Sequence, residues 1–433
     1  MKRKILQHLL WFLAKITLWC YRPLIIAVVG STGKSSTKEA IYYALKNNFK
    51  VARSESNLNT EIGLPLTIIE GQNAKTNIGL WLKNIFHTLS LVLIKQKDYP
   101  QIWVLEMSED HPHLISYLVR LSHPKIGVIS WIGETPVHQS FYSRPEVLQE
   151  EMQNLVKYLP KDGTAVLNYD NNLALAAKDK TQAQVITYGF QTGSQVEISN
   201  YNLIVDKNLR NLGMSLRLEY QGSYVPLKLQ GVFGQAQAYA LAAGAAVGLA
   251  LGLNLIQIAE SLKDYKMLKA RTNFLPGLKD TWILEDSYNS NPDALKMALT
   301  IYHEVVEGLK QTDIYPLKRR VLAIGDMREL GKESDEAHRK IAPFIVENAD
   351  LLIAVGDKMK LVTEECQKLG FSPKNIYWFK NSVEAGKKAK ELIEKGDLFL
   401  VKGSRGIHME QVSLAIMKEP EKAKDYLSFE EPT

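Results

Sequence analysis

An apolar run, Leu24-Ile25-Ile26-Ala27-Val28-Val29, stops abruptly at Gly30-Ser31-Thr32-Gly33-Lys34-Ser35-Ser36-Thr37. The run reads as a buried strand, the glycines as a tight turn, and the lysine with its hydroxyl neighbours as the opening of a helix. That junction is also a phosphate cradle. Consecutive backbone N–H groups and the helix N-terminus face the anion, Lys34 neutralises β/γ charge, and Ser35 is suited to ligate Mg²⁺. Residue 28 is Val, so the loop takes the G-x-x-G-K-S-S form rather than the longer spacing that begins with glycine. Binding of ATP through Gly30, Ser31, Thr32, Gly33, Lys34, Ser35 and Ser36, with Mg²⁺, is expected.

Beyond this junction short apolar runs alternate with helix-period segments, at 102–105 and 126–129, the pattern of a parallel sheet with crossover helices. Residues 183–229 alternate polar and apolar and read as an antiparallel flank of the same domain. An alanine-rich helix over 236–252 and a second helix to about 265 follow. A new series begins near Arg271, with strands at 282–284, 321–324, 351–355 and 398–401 separated by amphipathic helices, which reads as a doubly wound domain. The expected fold is therefore α/β: a P-loop central ATPase domain with a parallel sheet plus antiparallel flank, followed by a Rossmann-like C-terminal domain. The divisions are an amphipathic helix at 1–23, a central ATP-binding domain at 24–267 and a C-terminal domain at 268–433. A chain of 433 residues suits two to three domains at roughly 150 residues each. With 45% hydrophobic and 23% charged residues, disorder, collagen and coiled coil are excluded. The net charge of +6 is too small for a dedicated nucleic-acid binder. Cys20 and Cys366 are too few for a disulfide framework, which points to a reducing, cytoplasmic compartment.

Residues 1–23 begin with basic residues and continue apolar, yet no small-residue cleavage site follows and Lys15 interrupts a run of 17 residues. That is short of the ~20 needed to span a bilayer. At about 100° per residue, Lys4, His8, Lys15 and Arg22 share one stripe of a helix, with Leu, Ile, Phe and Trp around the rest. Two readings stand: the helix lies on the inner face of an anionic membrane with Trp11 and Trp19 as anchors, or it packs on its own domain with the stripe solvated. The stretch 79–97 repeats the design, with Lys83, His87 and Lys97 on one side and Trp81, Leu82, Phe86, Leu89 and Leu93 opposite.

Glu106 closes the run at 102–105, at the carboxyl edge of the sheet, where Mg²⁺ requires hard oxygen ligands; an exposed surface acid is the other reading. Five stretches then occur in order. They are Gly30–Ser36, Asn57-Leu58-Asn59-Thr60-Glu61-Ile62-Gly63-Leu64-Pro65, Asp286-Ser287-Tyr288-Asn289-Ser290-Asn291-Pro292, Gly325-Asp326-Met327-Arg328-Glu329-Leu330-Gly331 and Val401-Lys402-Gly403-Ser404-Arg405. Together, over about 24 to 415, they resemble the Mur ligases, most of all the branch that adds D-alanyl-D-alanine to the peptidoglycan precursor.

The resemblance implies that ATP phosphorylates a substrate carboxylate and that the amine of an amino acid or dipeptide attacks the acyl phosphate. The products are an amide, ADP and phosphate. It assigns phosphate and metal to Lys34 and Ser35, Mg²⁺ to Glu106, and a second metal to His138. Gln237 stands where an adenine-contacting Asn is usual, and Arg271 and Asp286 match nucleotide contacts from the C-terminal domain. Asn59, Thr60, Asn289, Asn291, Lys402, Ser404 and Arg405 are assigned to the substrates. Three departures accompany it. Only the amphipathic helix precedes the loop where such enzymes carry a uridine-nucleotide-binding domain, so a lipid-linked cell-wall precursor is the alternative acceptor. Glu151, or Glu150 on a one-residue slip, aligns with a lysine that is carbamylated to bridge metal ions, so activity independent of bicarbonate is expected. Trp131 replaces an Asn and Glu134-Thr135 is inserted near the second metal. A nucleotide-binding, non-catalytic partner subunit of a wall enzyme is the competing class.

Overall fold

The computed structural model describes residues 2–55, 58–75, 77–134, 141–142, 144–206, 212–312 and 315–429. Nine strands make the first sheet: β1 Leu24–Val29, β2 Val51–Arg53, β3 Ile102–Glu106, β4 Ile126–Ile129, β5 Thr164–Asn168, β6 Gln184–Gly189, β7 Val196–Val205, β8 Leu212–Tyr220 and β9 Ser223–Gln230. Their order is β2-β3-β1-β4-β5-β6-β7-β8-β9, parallel from β2 to β7 and antiparallel across β8 and β9. The antiparallel flank is therefore smaller than the sequence pattern suggests. Residues 184–189 pair in parallel with both neighbours, and helix α8, Gln235–Ala250, packs on that strand.

The helices around this sheet are α1 Lys2–Tyr21, α2 Lys34–Leu45, α3 Gly63–Ile68, α4 Ile78–Leu93, α5 Leu114–Ser122, α6 Pro145–Lys157, α7 Asn172–Leu175, α8 Gln235–Ala250 and α9 Leu255–Leu262. Strand β1 shows why both faces need covering. Ile26 and Val28 join one core with residues of α2, α8 and α9, whereas Ile25, Ala27 and Val29 join a second core with residues of α1, α5 and α6. The period of two sends alternate residues to opposite layers, and each fully buried Val or Ile contributes ~1.5–3 kcal/mol. Helix α8 approaches α2 closely through small residues; a Cβ on Gly244 would stand 2.8 Å from the Ala40 carbonyl oxygen.

Six strands make the second sheet: β10 Asn273–Gly277, β11 Thr281–Asp286, β12 Arg319–Gly325, β13 Leu351–Val355, β14 Ile376–Phe379 and β15 Asp397–Lys402. The order is β10-β11-β15-β12-β13-β14, parallel except for β10. Four of these follow the sequence expectation. The other two are the edges, which lack the continuous burial that marks the central strands. Helix α10, Pro292–Thr312, joins the two units: its Gly308 meets Leu203 and Val205 of β7, and its Ile301 meets Gly234.

Helix α1 resolves part of its double reading. Leu10, Leu13, Ala14 and Thr17 are buried against the domain, and α1 packs on α3, α4 and α5. Lys15 is not simply solvated: its Nζ donates to the Arg120 carbonyl at 2.6 Å, at the C-terminal end of α5 where the helix dipole favours a cation. Ile5, Leu9, Phe12 and Trp19 remain exposed.

Candidate active site

At the end of β1 the backbone turns through Gly30, with φ of 146°, and Gly33, with φ of 83°. A side chain at Gly30 would collide with the Ser130 hydroxyl, so glycine is required there. Ser130 Oγ donates to the Thr32 carbonyl at 2.8 Å and Ser31 N–H donates to the Trp131 carbonyl at 2.7 Å, clamping the loop to the end of β4. The first N–H groups of α2 have no intrahelical acceptor. The Thr32 hydroxyl is buried without a hydrogen-bond partner. Such an orphan polar atom in a glycine-turned cradle fits an anionic ligand such as a nucleotide phosphate.

Lys34 extends from the first turn of α2. Its Nζ donates to the Gly30 carbonyl at 2.5 Å and to both oxygens of Glu109 at 2.8 and 3.0 Å. Glu109 is fully buried in the loop after β3. One turn further along α2, Lys38 pairs with Glu106 Oε2 at 3.4 Å, and both are buried. Burial alone would raise the Glu106 carboxyl, but Lys38, Lys34 and Arg271, with the Ser35 hydroxyl, outweigh it and hold the group below the usual carboxylate range. Glu106 Oε2 accepts no hydrogen bond. An ionised, buried oxygen with unspent lone pairs beside a serine hydroxyl fits a divalent cation. Asn59 Nδ2 reaches Glu106 Oε1 at 3.5 Å, and the Asn59 carbonyl accepts from Ser108 N–H at 3.0 Å. The Thr60 hydroxyl accepts from Gly63 N–H at 3.4 Å, just before α3.

The second sheet closes on this cradle. Arg271 Nη2 donates to Ser35 Oγ at 3.3 Å, and Asn291 Nδ2 donates to the Ser31 carbonyl at 3.4 Å while its Oδ1 caps α10 by accepting from Ala294 N–H at 2.7 Å. Arg271 is presented from a strained turn: Ala270 and Thr272 have φ of 52° and 59°. Each left-handed residue costs ~1–2 kcal/mol. Ala270 N–H donates to the Tyr426 carbonyl and Thr272 N–H to Asp286 Oδ1, which holds that turn in place. Lys402, buried at the end of β15, donates to Asp286 Oδ2 at 2.6 Å and to the Asn289 carbonyl at 2.9 Å. Ser404 Oγ donates to the Ser290 carbonyl at 3.0 Å and accepts from Arg328 N–H at 2.8 Å, tying three motifs together. Asn289 Oδ1 accepts from Ser290 N–H at 2.8 Å. Arg405 donates to the Ser428 carbonyl at 2.8 Å. The Tyr288 ring lies 4.2 Å from Arg271 and 5.7 Å from Arg405.

Two expected residues are placed differently from the rest, Gln237 and Glu151. Gln237 is buried in the first turn of α8, with Oε1 accepting from the Tyr265 hydroxyl at 2.7 Å. Glu151, expected to bridge metal, is committed elsewhere. Its Oε1 accepts from Ile115 and Ser116 N–H at 3.0 and 3.3 Å and its Oε2 from Asn154 at 3.3 Å, because α6 directs it at the N-terminus of α5, where free N–H groups attract a carboxylate. Glu150 is exposed on the same helix. His138 lies outside the described residues. Sequence reasoning missed Lys38, Glu109, Tyr265 and Tyr288, although the four-residue spacing from Lys34 to Lys38 puts both on one helix face.

A cavity of about 520 Å³ opens beside the loop after β3, lined among others by Gln7, Glu61, His111, His113, Tyr117 and Arg120. Gln7 of α1 donates to Glu61 at 2.8 Å across it.

A parallel strand ending in this loop, a buried carboxylate beside its lysines and a second doubly wound unit contacting Ser31 and Ser35 define an ATP-dependent enzyme of two α/β domains. Residues 83–247 match the Mur ligase middle domain, and residues 270–405 match the domain described as Mur ligase, glutamate ligase domain. The chain belongs to the Mur ligase superfamily and is an ADP-forming amide ligase that uses ATP and Mg²⁺. Among its relatives is the UDP-N-acetylmuramoyl-tripeptide--D-alanyl-D-alanine ligase of Bacillus subtilis, 25% identical over 92% of this chain and 76% of that protein. The enzyme of that name from Buchnera aphidicola is 27% identical over 97% of this chain and 81% of its own length. Among solved structures, MurF from Thermotoga maritima in complex with ADP superposes with a TM-score of 0.74 at 23% identity, covering 96% of this chain and 84% of that one. MurF from Acinetobacter baumannii gives 0.75 at 20% identity, over 94% and 79%. No described helix is long and apolar enough to cross a membrane.

Proposed function

We propose that the chain joins D-alanyl-D-alanine, or a related amino acid or dipeptide, to the terminal carboxylate of a peptidoglycan precursor of the UDP-N-acetylmuramoyl-tripeptide kind. The observation that carries this reading is the meeting of the two units over one cleft, where Arg271 touches Ser35 while Lys34, Lys38 and Glu106 line the other wall. The names of the relatives support the substrate class. The working divisions are 1–23, 24–267 and 268–433.

Bound ATP supplies the phosphoryl group that activates the carboxylate, and Mg²⁺ shields its charge. The loop Gly30–Ser36 holds the phosphates, with Lys34 exchanging Glu109 for them. Ser35 and Glu106 hold the cation; Lys38 keeps Glu106 ionised and oriented. Arg271 brings positive charge from the second unit to the transferring group, and Lys402 fixes Asp286 at the nucleotide side of the cleft. Asn59, Thr60, Asn289, Asn291, Ser404 and Arg405 orient the two substrates, and closure of the units excludes water from the acyl phosphate. His138 keeps its role at a second cation as part of this proposal. Phosphate release with Mg²⁺ and ATP, with UDP-N-acetylmuramoyl-tripeptide and D-alanyl-D-alanine supplied singly and together, tests the reading. Release and a pentapeptide product only with both are expected. ATP binding without product would reject these substrates and favour the partner-subunit class.

A second acceptor is favoured by the share that α1 takes in the cavity beside the β3 loop. In that reading the precursor is lipid-linked, the enzyme works at the inner face of the plasma membrane, and residues 1–23 contact the bilayer. Faster turnover of a precursor embedded in vesicles than of its soluble counterpart is the expected result; equal turnover would remove this alternative.

A further inference from the structure

Helix α4 packs Leu91, Trp81 and Ile85 on the domain core and still presents a second apolar side outward. It buries Asn84, Thr88 and Leu91, while Ile78, Leu82, Phe86, Leu89 and Leu93, all within one side of the helix, are exposed. Phe86 is 67% and Leu93 80% exposed. This orientation is locked. Asn84 Nδ2 donates to the Gln72 carbonyl at 2.7 Å and its Oδ1 accepts from Gln72 N–H at 3.1 Å, so rolling the exposed side inward would break both bonds and leave buried polar groups unpaired. A helix pinned with a second apolar side outward needs a covering partner.

The neighbour of α4 is α1. The two pack together, and the Tyr21 hydroxyl stitches them by donating to the Leu91 carbonyl at 2.7 Å and accepting from Gln96 N–H at 2.9 Å. Helix α1 adds its own exposed Ile5, Leu9, Phe12 and Trp19, the last 72% exposed. The two helices themselves are basic, with acids only at their borders, where Glu61 meets Gln7, Glu70 lies near His87 and Asp98 pairs with Lys50. Residues 2–22 carry five Lys or Arg and residues 71–97 carry four, with no Asp or Glu in either stretch.

We infer that α1 and α4 together form one docking face whose occupant is an anionic lipid bilayer, on which both helices lie in the plane of the interface. The inference rests on the membrane-facing reading of α1 and extends it to a second, independently testable helix. A second copy of the chain meeting this face across a two-fold axis would set basic residues against basic residues, whereas anionic headgroups complement them. Neither helix crosses the bilayer; apolar side chains enter the acyl boundary, Trp19 sits at headgroup level, and the lysines meet phosphates.

The test is co-sedimentation of the full chain with vesicles of phosphatidylcholine plus phosphatidylglycerol, against phosphatidylcholine alone, without nucleotide or precursor. Binding to the anionic vesicles that weakens with salt is expected. Phe86→Asp with Leu93→Asp should cut partitioning by at least about tenfold. Lys83→Glu with Lys95→Glu should lower it on anionic vesicles, and both variants should keep the wild-type melting temperature and ADP binding. Absence of wild-type binding to anionic vesicles, or equal binding of the α4 variants, overturns the inference. Dimers in light scattering that the Phe86 and Leu93 changes dissociate, without vesicle binding, would assign the face to a second copy. Loss of binding in the α4 variants while α1 is intact separates this face from contact through residues 1–23 alone, and ligase activity on soluble precursor is read separately.

Discussion

Lys34 spends its charge on Glu109 and the Gly30 carbonyl, whereas Lys402 spends its charge on Asp286, and the two lysines call for different predictions. Lys34 faces the phosphate cradle, so Lys34→Ala should lower product formation by ~10²–10³ while the chain stays folded, read as kcat with saturating ATP. Lys402 is buried, so Lys402→Ala should leave the Asp286 carboxylate uncompensated and cost about 3–5 kcal/mol in urea unfolding. Many of these residues were legible as letters: a lysine after a glycine turn and a carboxylate at a strand end each have a local chemical reason. Glu109 was not, because a carboxylate three residues beyond a strand shows nothing of the lysine it meets until β1 and β3 lie side by side in parallel register. Tyr288 was hidden in the same way, since its two arginines come from distant loops.

Elements show how spacing is turned into position. Gly244 lets α8 approach α2, the helix that carries Lys34 and Lys38, and Gly244→Ala would press a methyl against the Ala40 carbonyl. A loss of about 1–3 kcal/mol in denaturant unfolding, with weaker ADP binding as α2 shifts, is expected. Glu151→Ala would strip α5 of its N-terminal acceptor and leave buried N–H groups unpaired, costing about 1–3 kcal/mol in the same assay. The periods of β1, β3, β4 and the central strands of the second sheet were readable because they are buried on both faces. Edge strands β10 and β14 and the parallel pairing of β6 were not, since partial exposure and mixed composition do not reveal which neighbour a strand takes.

At the scale of the whole molecule, one buried acid couples stability to pH. Glu285 on β11 is enclosed near Ser413, and burial pushes its carboxyl up from 4.5 to about 7, with the Ser287 N–H and the Ser413 hydroxyl pulling the other way. A carboxyl raised on folding contributes stability that is complete below its unfolded pKa and is lost as pH rises through the folded one. The loss should accumulate between about pH 4.5 and about 7, on the order of 3 kcal/mol. Glu285→Gln should flatten that part of the pH dependence of the melting temperature; an unchanged slope would refute this assignment. Glu106 acts in the opposite sense: being held low, it contributes above the ordinary carboxylate range and loses that contribution only on acidification. The residues alone determined the α/β class, the phosphate loop and the two-part organisation, because local periodicity and turn chemistry are written in neighbouring residues. Tertiary structure alone decided that Lys34 meets Glu109, that Glu151 serves a helix, and that α4 turns a second apolar side outward, because each depends on a partner far away in the chain and on which of two faces the packing covers.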